Sequence, residues 1–523
     1  MGAAEPYYKG NFVRQLSGHD HQRFMAKKNM KILFASSEVV PFAKTGGLAD
    51  VSGALPKQIA ELGHDIRVIL PKYGSIQDAK FKLHEIGRLR DIEVPVGDDI
   101  HLVSVKSAAI PDSKVQVYFV DYPDYFVRDG LYTDAKTGEG YADNDARFIL
   151  FSRAALEIAK RLFWPPDIIH CNDWQAALIP LYLKTLYAED EFFRDTRTLL
   201  SIHNLGYQGV FPPEALRQAG LPDSLFYPLS PVEFYNSFSF LKSGISYSDL
   251  INTVSETYAR EIQSDPEYGA GLEGVLRARS QDLFGILNGI DDRDWNPALD
   301  DLIAAKFSVE DVSGKVENKK ALLQQCNLKF DPKTPLIGII SRLADQKGFD
   351  LIAAVLDHVA SLKMQMVILG TGDEKYHQLF RDAAARFPQK FSIHLTFNNQ
   401  LAHLIEAGSD IFLMPSRYEP CGLNQMYSFM YGTVPVVRAT GGLADTVIDA
   451  DRHPQTGTGF VFEAYEAAQM LDAIKRALRC FDDPKTWRAL QRRGMSQDFS
   501  WRKSAKKYLE IYELALKKPR LSV

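Results

Sequence analysis

The sequence predicts an α/β protein made of two doubly wound parallel sheets. Short apolar runs, many of them β-branched, alternate with segments of helical periodicity, as in βαβ units whose strands are covered on both faces. The chain has 523 residues, more than one ordinary core accommodates. The hexapeptide Thr45–Asp50 also recurs as Thr440–Asp445, each time after a buried apolar run. Two matching turns so far apart indicate two similar halves, not a short-period repeat.

The predicted strands fall into two series along the chain. In the first half they are Ile32–Ala35, Ile66–Leu70, Val115–Val120, Ile168–His170, Thr198–His203 and Leu250–Val254. The second series comprises Leu283–Leu287, Leu336–Ile340, Gln365–Leu369, Ile393–Thr396, Ile411–Met414 and Val434–Val437. A turn signal at Asn288–Asp291 lies near the break, so the two domains are predicted to span residues 30–283 and 284–499. Such sheets bind ligands at the carboxyl ends of their strands, and two facing sheets would form one deep cleft.

The two ends of the chain differ from the rest. Residues 1–29 are polar and contain no apolar segment, so they are predicted to be a flexible extension without a secretory signal. Residues 500–523 are predicted to form a C-terminal helix with one apolar face, made of Ala505, Tyr508, Leu509 and Tyr512. Because that face needs a core to cover, the helix is expected to return to the first domain.

Composition and charge exclude several classes of protein. A net charge of −5 provides no basic field for nucleic acid, and no apolar run is long enough to span a membrane. The four cysteines are scattered without C-x-x-C spacing, which is typical of reduced thiols in a cytosolic-type compartment. We therefore expect a cytoplasmic protein; a plastid location is less favoured because residues 1–29 contain one serine and charges of both signs. The oligomeric state is not indicated.

The first Gly-Gly turn has the features of a phosphate site. Gly46 and Gly47 lie between a buried strand and a helix, where free backbone N–H groups and the helix dipole attract an anion. Lys44 adds a full positive charge at the same place. Neither nucleotide-binding fingerprint is present, and a tight turn would by itself explain one glycine pair. The repeated hexapeptide favours a turn that binds ligand.

Polar loops follow several predicted strands. They are rich in Asp, His, Arg, Lys and Glu, and they are His170–Trp174, His203–Gly209, Ser341–Gly348, Gly370–Asp373 and Pro415–Leu423. Each could be an ordinary surface loop if taken singly. Five such loops at strand exits indicate an active site.

On these motifs the chain resembles the glycogen and starch synthases. Further matching segments are Lys44–Val51, Tyr268–Leu276, Asn288–Asp291 and Thr440–Thr446. The resemblance extends from Met30 to about Tyr512 and implies the GT-B fold, with two Rossmann-like domains facing across a deep cleft. It also implies a retaining glucosyltransferase that moves glucose from ADP-glucose to the non-reducing 4-hydroxyl of an α-1,4-glucan, the primer of glycogen or starch. The Gly-Gly-Leu-Ala-Asp form of the first loop is more similar to bacterial glycogen synthases than to the plant enzymes.

The resemblance assigns the charged loop residues to the donor. Lys44 matches the family's ADP-glucose-binding lysine, and Arg342 and Lys347 match the pair that holds the diphosphate while charge builds on ADP. A surface salt bridge is the alternative for Arg342 and Lys347. The other residues assigned to substrate are Gly46, Gly47, Asp50, Cys421, Gly422, Leu423, Thr440, Gly441, Gly442 and Leu443. The backbone N–H groups of Gly441, Gly442 and Leu443 are expected to reach the phosphates.

Three further residues are expected around the transferred glucose. Glu419 matches an acidic residue that accepts hydrogen bonds from sugar hydroxyls, although a helix cap or an ion pair with Arg417 would also explain it. Asp173 is either a sugar ligand or a residue that orients one. His203 matches a position whose backbone carbonyl faces the anomeric carbon, although a lone histidine after a strand is often only a hydrogen-bonded core residue.

Two more residues are expected near the cleft. Asn288 falls at the interdomain hinge and resembles an asparagine that contacts acceptor or sugar. Tyr141 matches a tyrosine near the acceptor and donor cleft, where its ring could stack on a sugar or base.

No cofactor or metal is expected. The mechanism is inferred from the site residues named above. Double displacement needs a carboxylate nucleophile, and the sequence singles none out. A front-face displacement is therefore favoured, in which the departing diphosphate takes the proton of the acceptor hydroxyl. The acidic run Asp291–Asp294 only superficially resembles a metal motif and is assigned to capping and solvated charge.

Two alternatives remain open at this stage. A glucan-binding protein with an inactive site would have little reason to keep the complete charged set of Lys44, Asp173, Arg342, Lys347 and Glu419. A different GT-B transferase is the other alternative, such as a sucrose synthase or a glucan phosphorylase. The first lacks a counterpart to Lys44–Gly47, and the second needs a lysine bound to pyridoxal phosphate, for which no motif is present.

Overall fold

Two main sheets form the framework of the protein, whose computed structural model describes residues 29–519. The first sheet contains β1 (Lys31–Ala35), β2 (Asp65–Pro71), β3 (His84–Glu85), β4 (Ile92–Val96), β5 (Asp99–Ala109), β6 (Gln116–Asp121), β7 (Ile168–Asn172), β8 (Arg197–Ile202), β12 (Leu250–Thr253) and β13 (Leu283–Gly285). A small antiparallel sheet contains β9 (Val210–Phe211), β10 (Glu233–Phe234) and β11 (Ser237–Ser239). The second sheet contains β14 (Leu336–Ile340), β15 (Gln365–Leu369), β16 (Phe391–His394), β17 (Ile411–Met414), β18 (Val434–Arg438) and β19 (Phe460–Phe462).

Helices cover both main sheets. Those of the first domain are α1 (Gly47–Glu61), α2 (Asp78–Phe81), α3 (Pro123–Phe126), α4 (Asn144–Arg161), α5 (Asp173–Ala176), α6 (Leu178–Lys184), α7 (Ala215–Gln218), α8 (Phe240–Tyr247), α9 (Glu256–Ser264), α10 (Pro266–Gly269) and α11 (Glu273–Ala278). The second domain contains α12 (Gly314–Gln325), α13 (Phe349–Ala354), α14 (Leu356–Ser361), α15 (Glu374–Arg386), α16 (Asn399–Gly408), α17 (Asn424–Met430), α18 (Gly441–Thr446), α19 (Ala467–Phe481) and α20 (Pro484–Met495), and α21 (Trp501–Lys517) ends the fold.

The strand order is that of doubly wound sheets. The first sheet runs β13-β12-β8-β7-β1-β2-β6-β5-β3, with β4 paired to β5, and the second runs β16-β15-β14-β17-β18-β19. The central strands are parallel, as predicted, because their residues are apolar on both faces. The antiparallel hairpin β4–β5 was not predicted; its residues alternate between buried and exposed, so it carries no continuous apolar run.

One predicted strand joins the other sheet. The run from Leu283 was placed at the start of the second series, but it pairs in parallel with β12 at the edge of the first sheet. The strand ends at Gly285, which lies so close to the backbone of Glu256 that a Cβ there would be 2.4 Å from the Cα of Glu256. A three-residue edge strand has too little pattern to reveal its partner, which explains the error.

Helix α21 completes the core of the first domain. Its buried residues, Trp501, Ser504, Ala505, Tyr508, Ile511, Tyr512 and Ala515, face that domain, and all but Ser504 belong to its apolar core. A buried chain of hydrogen bonds links it to the sheet. The hydroxyl of Tyr512 lies 2.8 Å from Nδ1 of His170, whose Nε2 lies 2.6 Å from Oγ of Ser201, and Asn252 bonds both Ser201 and Tyr508.

The two segments that connect the domains lie side by side. Ile290 and Ser500 form a parallel β-bridge, and a Cβ on Gly289 would lie 2.6 Å from the Cα of Trp501. Close contact of two backbones therefore requires glycine at position 289. The predicted extension falls almost wholly on residues 1–28, outside the described residues. Within residues 29–519, none of the helices combines the length and apolar character needed to cross a bilayer.

Candidate active site

A cavity of about 1090 Å³ lies between the two domains at the carboxyl ends of the strands. The first domain contributes Lys44, Thr45 and Asp50, and the connecting segment contributes Arg293, Asp294 and Trp295. The second domain contributes Ser341, Arg342, Gly370, Thr371, Gly372, Thr396, Phe397, Asn398, Asn399, Leu423 and Asn424. The cavity thus brings together Lys44, Asp50, Arg342 and Leu423 of the residues predicted to bind substrate.

Two cations in this cleft differ in their surroundings. Nζ of Lys44 lies 2.7 Å from Oδ1 of Asp50, and 53% of the lysine side chain is exposed. The guanidinium of Arg342 is exposed and forms no ion pair or hydrogen bond with any residue in the described part of the chain. An uncompensated guanidinium that lines a cavity is suited to bind an anionic ligand.

A carboxylate already occupies the amides of the first Gly-Gly turn. Glu38, which is buried, accepts hydrogen bonds from the backbone N–H of Thr45 at 2.5 Å, from its hydroxyl at 2.6 Å and from the N–H of Gly46 at 3.1 Å. A Cβ on Gly46 would meet nothing within 4 Å, so the outer side of the turn is open. A Cβ on Gly47 would lie 4.0 Å from Leu423 of the opposite domain. The turn therefore presents open backbone to the cleft while Glu38 fixes its shape.

The amides of the second Gly-Gly turn are also occupied by protein groups. The N–H of Gly441 donates to both carboxylate oxygens of Glu261 at 3.1 Å, and the N–H of Gly442 donates to the carbonyl of Glu419 at 3.1 Å. The N–H of Leu443 donates to the carbonyl of Thr440. These groups were expected to reach the phosphates. Here a carboxylate and three backbone carbonyls, of Glu419, Pro420 and Thr440, accept these N–H groups because the turn packs against other protein segments, and their contact with phosphate stays a prediction.

Glu419 lies in a small polar cluster of the second domain. Its Oε2 accepts hydrogen bonds from Nζ of Lys347 at 2.6 Å and from Oγ of Ser416 at 3.0 Å, and the residue is 7% exposed. The alternative pairing with Arg417 is wrong, because that guanidinium lies near Glu267 and Asp350. The structure thus joins two predicted site residues, Lys347 and Glu419, in one ion pair.

Asp173 and His203 meet at the ends of β7 and β8. Asp173 adopts a left-handed backbone conformation with φ of 53°, and its Oδ1 accepts the backbone N–H of His203 at 2.7 Å. Nε2 of His203 lies 3.0 Å from Oδ1 of Asn172, whose amide donates to the carbonyl of Ala35. Burial lowers the pKa of His203 to about 4, so its ring is neutral at neutral pH. Because Asp173 accepts the backbone N–H of His203, it orients the loop that begins there.

The loop after His203 approaches the second domain. A Cβ on Gly206 would lie 3.6 Å from the hydroxyl oxygen of Tyr418, next to Glu419. Cys421 is a buried free thiol, and Gly422 has a φ of 69°, which favours glycine at that position. The approach of Gly206 to Tyr418 places the loop after His203 beside the segment that carries Glu419.

Asn288 and Tyr141 are two of the predicted residues that do not line this cavity. Asn288 lines a smaller cavity of about 380 Å³ at the hinge, together with Asp445 and Lys503, and its buried Oδ1 has no hydrogen-bond partner. The ring of Tyr141 lies 4.8 Å from the guanidinium of Arg128 and 5.1 Å from that of Arg147. Two guanidinium groups therefore contact its ring, and stacking of Tyr141 on a sugar or base stays a prediction.

Phe397 is a cleft residue that sequence reasoning missed. It follows β16 and lines the cavity with 87% of its surface exposed. A large exposed aromatic ring among polar loops is suited to stack on a planar ligand group. A signal was available, since Phe397 directly follows the predicted strand Ile393–Thr396, at a strand exit like the other polar loops.

Comparisons with known proteins decide the family. Residues 31–278 match a family described as "Starch synthase catalytic domain", and residues 323–493 match "Glycosyl transferases group 1". A glycogen synthase of Koribacter versatilis is 50% identical over 486 residues, which cover 93% of this chain and 98% of that protein. The chain belongs to the glycogen and starch synthase family. A second relative of this synthase, the glycogen synthase of Thermotoga maritima, is 47% identical over 94% of this chain and 99% of its own length.

A solved structure confirms the predicted fold of the synthase. The catalytic domain of starch synthase IV from Arabidopsis thaliana, described as bound to ADP and acarbose, superposes with a TM-score of 0.85 at 34% identity. The match covers 94% of this chain and all of that one. The GT-B architecture and the resemblance to glycogen and starch synthases are thereby confirmed, and the synthase is a glycosyltransferase.

The structure also bears on the acidic run at the hinge of the synthase. Oδ1 of Asp291 accepts the backbone N–H of Arg293 at 3.0 Å, so this residue caps the turn. Across residues 29–519, no three His, Cys, Asp or Glu side chains are arranged to hold a metal ion.

The buried carboxyl group of Asp173 is expected to make the stability of the protein depend on pH. Burial raises its pKa to about 7, so between about pH 4 and 7 the folded protein binds more protons than the unfolded chain. The contribution of Asp173 to the free energy of unfolding should therefore fall as pH rises through that window. As the pH rises from about 4 to 7, Asp173→Asn should gain stability relative to the native protein, measured by urea unfolding, while Asp382→Asn, at an exposed side chain, should not. Parallel pH profiles for Asp173→Asn and the native protein would contradict this expectation.

Proposed function

We propose that this synthase transfers glucose from ADP-glucose to the non-reducing 4-hydroxyl of an α-1,4-glucan with retention of configuration. The observation that carries the proposal is the free guanidinium of Arg342, which faces a cleft whose opposite wall holds Lys44 and the open side of Gly46. A diphosphate between these groups would meet positive charge from both domains. The related starch synthase IV was solved bound to ADP and acarbose, which supports ADP-glucose as the donor of this protein.

The exposed ring of Phe397 supports a nucleotide as the donor's leaving group. It stands in the same cavity as Arg342, so a base stacked on the ring would leave its diphosphate within the reach of the guanidinium. The cavity of about 1090 Å³ is also at the upper end of the volumes typical of ligand pockets. This arrangement favours a nucleotide sugar over a sugar phosphate.

The proposed chemistry is a front-face displacement. The bond between the anomeric carbon and the diphosphate oxygen breaks, the acceptor 4-oxygen bonds to the same face of that carbon, and its proton passes to the departing diphosphate. Arg342 and Lys44 stabilise the charge that grows on ADP. Glu419 accepts hydrogen bonds from glucose hydroxyls, and Asp173 orients the loop at His203. Neutral His203 acts through its backbone carbonyl and its bond to Asn172 and carries no charge.

Release of ADP tests the proposal directly. Purified protein is incubated with glycogen and ADP-glucose, UDP-glucose or glucose 1-phosphate, and the nucleotide and glucan products are measured. We expect ADP release that depends on primer and continues in EDTA, because protein cations neutralise the leaving group. Faster transfer from UDP-glucose would overturn the donor assignment, phosphate release from glucose 1-phosphate would indicate a phosphorylase, and glycogen binding without turnover would indicate an inactive glucan-binding protein.

Lys44→Ala is expected to lose most of the activity while the fold stays intact. Loss of one charge-assisted contact costs about 1.5–3 kcal/mol, or about 10- to 150-fold in rate. The measurement is the rate of ADP release at saturating ADP-glucose, with Lys114→Ala as the control because Lys114 is exposed beside β6. Near-normal turnover of Lys44→Ala would show that the lysine does not contact the donor.

A further inference from the structure

Hydrogen bonds and ion pairs connect helices α9 and α10 of the first domain to the segment of the second domain that carries Glu419. Five pairs span the interface in addition to the contacts of Glu261: Ser255 with Pro420, Thr257 with Asp445, Arg260 with Asp445, Tyr268 with Arg438, and Glu267 with Arg417. All the second-domain partners lie within residues 417–445. This part of the interface is therefore an extended, specific contact between the first domain and the active-site segment.

Glu261 makes the most concentrated of these contacts. Its Oε1 accepts the hydroxyl of Thr440 at 3.0 Å, and both of its carboxylate oxygens accept the N–H of Gly441 at 3.1 Å. The same helix is anchored in the core of the first domain by Tyr258 and Ile262. A rigid element of one domain thus places a carboxylate on a backbone turn of the other.

The turn that Glu261 holds lies directly on the backbone of Glu419. The N–H of Gly442 donates to the carbonyl of Glu419, and a Cβ on Gly441 would lie 2.0 Å from that same oxygen. A Cβ on Gly442 would lie 1.9 Å from the carbonyl oxygen of Cys421. Because the turn is in direct backbone contact with residues 419–421, we expect a shift of the turn to displace them.

The first Gly-Gly turn provides an internal comparison. There Glu38, from the same domain, accepts hydrogen bonds from Thr45 and Gly46, which are the counterparts of Thr440 and Gly441. Both copies of the hexapeptide therefore fix their shape with a glutamate. Only the second copy takes its glutamate from the other domain.

We propose that Glu261 is a positioning residue for glucosyl transfer, which acts across the domain interface through Thr440 and Gly441 to fix the backbone of Glu419. The inference rests on the proposed function, because it needs Glu419 to contact the donor glucose. In this proposal the second Gly-Gly turn couples the position of the first domain to the backbone of Glu419, whereas the sequence had indicated that this turn binds phosphate.

Glu261→Gln tests the proposal with little change in side-chain volume. One carboxylate oxygen becomes an NH2 group, which cannot accept the N–H of Gly441, and the remaining amide oxygen is uncharged, so it accepts that N–H and the hydroxyl of Thr440 more weakly. We expect kcat for ADP release to fall by about 10- to 100-fold, with the KM for glycogen unchanged. Glu256→Gln is the matched control, since it makes the same acid-to-amide change on the same helix at a half-exposed side chain near Lys507.

A double variant separates positioning from a general loss of structure. Thr440→Val removes the contact from the other side, and the double variant Glu261→Gln/Thr440→Val should be no slower than the slower single variant. If Glu261→Gln does not fold, Thr440→Val alone must show the fall in kcat. Hydrogen exchange at residues 419–423 should rise in both variants while thermal unfolding matches that of Glu256→Gln.

Three outcomes would overturn the inference. They are a kcat of Glu261→Gln within twofold of the native protein, an equal loss in Glu256→Gln, and tighter ADP binding by Glu261→Gln at unchanged kcat. The last would mean that the carboxylate competes with ligand for Gly441. The native protein is assayed alongside. If the native protein itself releases no ADP, the proposed donor is wrong, whereas a normal native rate with an unaffected variant contradicts only the role of Glu261.

Discussion

Arg342→Ala is expected to reduce kcat for ADP release by about 100- to 1000-fold, the loss seen when one preorganised donor to a developing negative charge is removed. Its guanidinium has no partner within residues 29–519, so the substitution leaves no buried carboxylate uncompensated. Charge grows on the diphosphate as the glycosidic bond breaks, and the loss should therefore appear in kcat more than in primer binding. The measurement is initial-rate kinetics with ADP-glucose and glycogen varied separately.

The control for Arg342 is Arg452→Ala, which removes an exposed guanidinium paired with Glu463 at the surface. A rise only in the KM for glycogen would place Arg342 on the acceptor side and contradict its assignment. Lys347→Ala should also lower kcat, but its interpretation is less direct. Lys347 is the partner of nearly buried Glu419, so its removal disturbs both residues at once.

Deletion of α21 is expected to prevent the first domain from folding. Four large side chains of this helix, Trp501, Tyr508, Ile511 and Tyr512, are buried in that domain. At about 1.5–3 kcal/mol for each buried apolar side chain, their loss is on the order of 6–12 kcal/mol. That amount matches the whole stability of a typical domain, roughly 5–15 kcal/mol. A chain that ends before Trp501 should show reduced helical circular dichroism and rapid proteolysis between residues 30 and 285.

Point variants of α21 test whether its buried side chains account for this loss of stability. Tyr512→Ala should lose about 3–5 kcal/mol of unfolding free energy, because it creates a cavity and leaves Nδ1 of His170 without a donor. Leu514→Ala is the control on the same helix, since Leu514 is 39% exposed. Native-like cooperative unfolding of the truncated chain would contradict a requirement for α21.

The parts of the fold that were predictable follow local patterns. Strands such as Ile411–Met414 are continuous apolar runs, and burial on both faces of a parallel sheet requires that pattern. The position of the cleft followed as well, because loops at the carboxyl ends of parallel strands share one edge. Lys44 and Arg342, which come from different domains, line one cavity, and their binding of substrate stays a prediction.

The parts that were not predictable depend on tertiary contacts. Both Gly-Gly turns have the same sequence, yet their amides are satisfied by Glu38 in one case and by Glu261 of the other domain in the second. No local pattern distinguishes an amide that binds phosphate from one that binds a carboxylate. Likewise, only the folded chain places Arg128 and Arg147 against the ring of Tyr141.

The bond between His170 and Tyr512 has a consequence for how the protein is made. Ribosomes deliver the sheet of the first domain well before α21, and at about 5–20 residues per second the interval between Thr253 and Tyr508 lasts on the order of tens of seconds. During that time the helix face that covers His170, Ser201 and Asn252 has not been synthesised. The second sheet, by contrast, is complete once Phe462 has emerged. The domain that is translated first is thus the one that finishes folding last, and its unfinished core is the surface that a nascent-chain chaperone would have to protect.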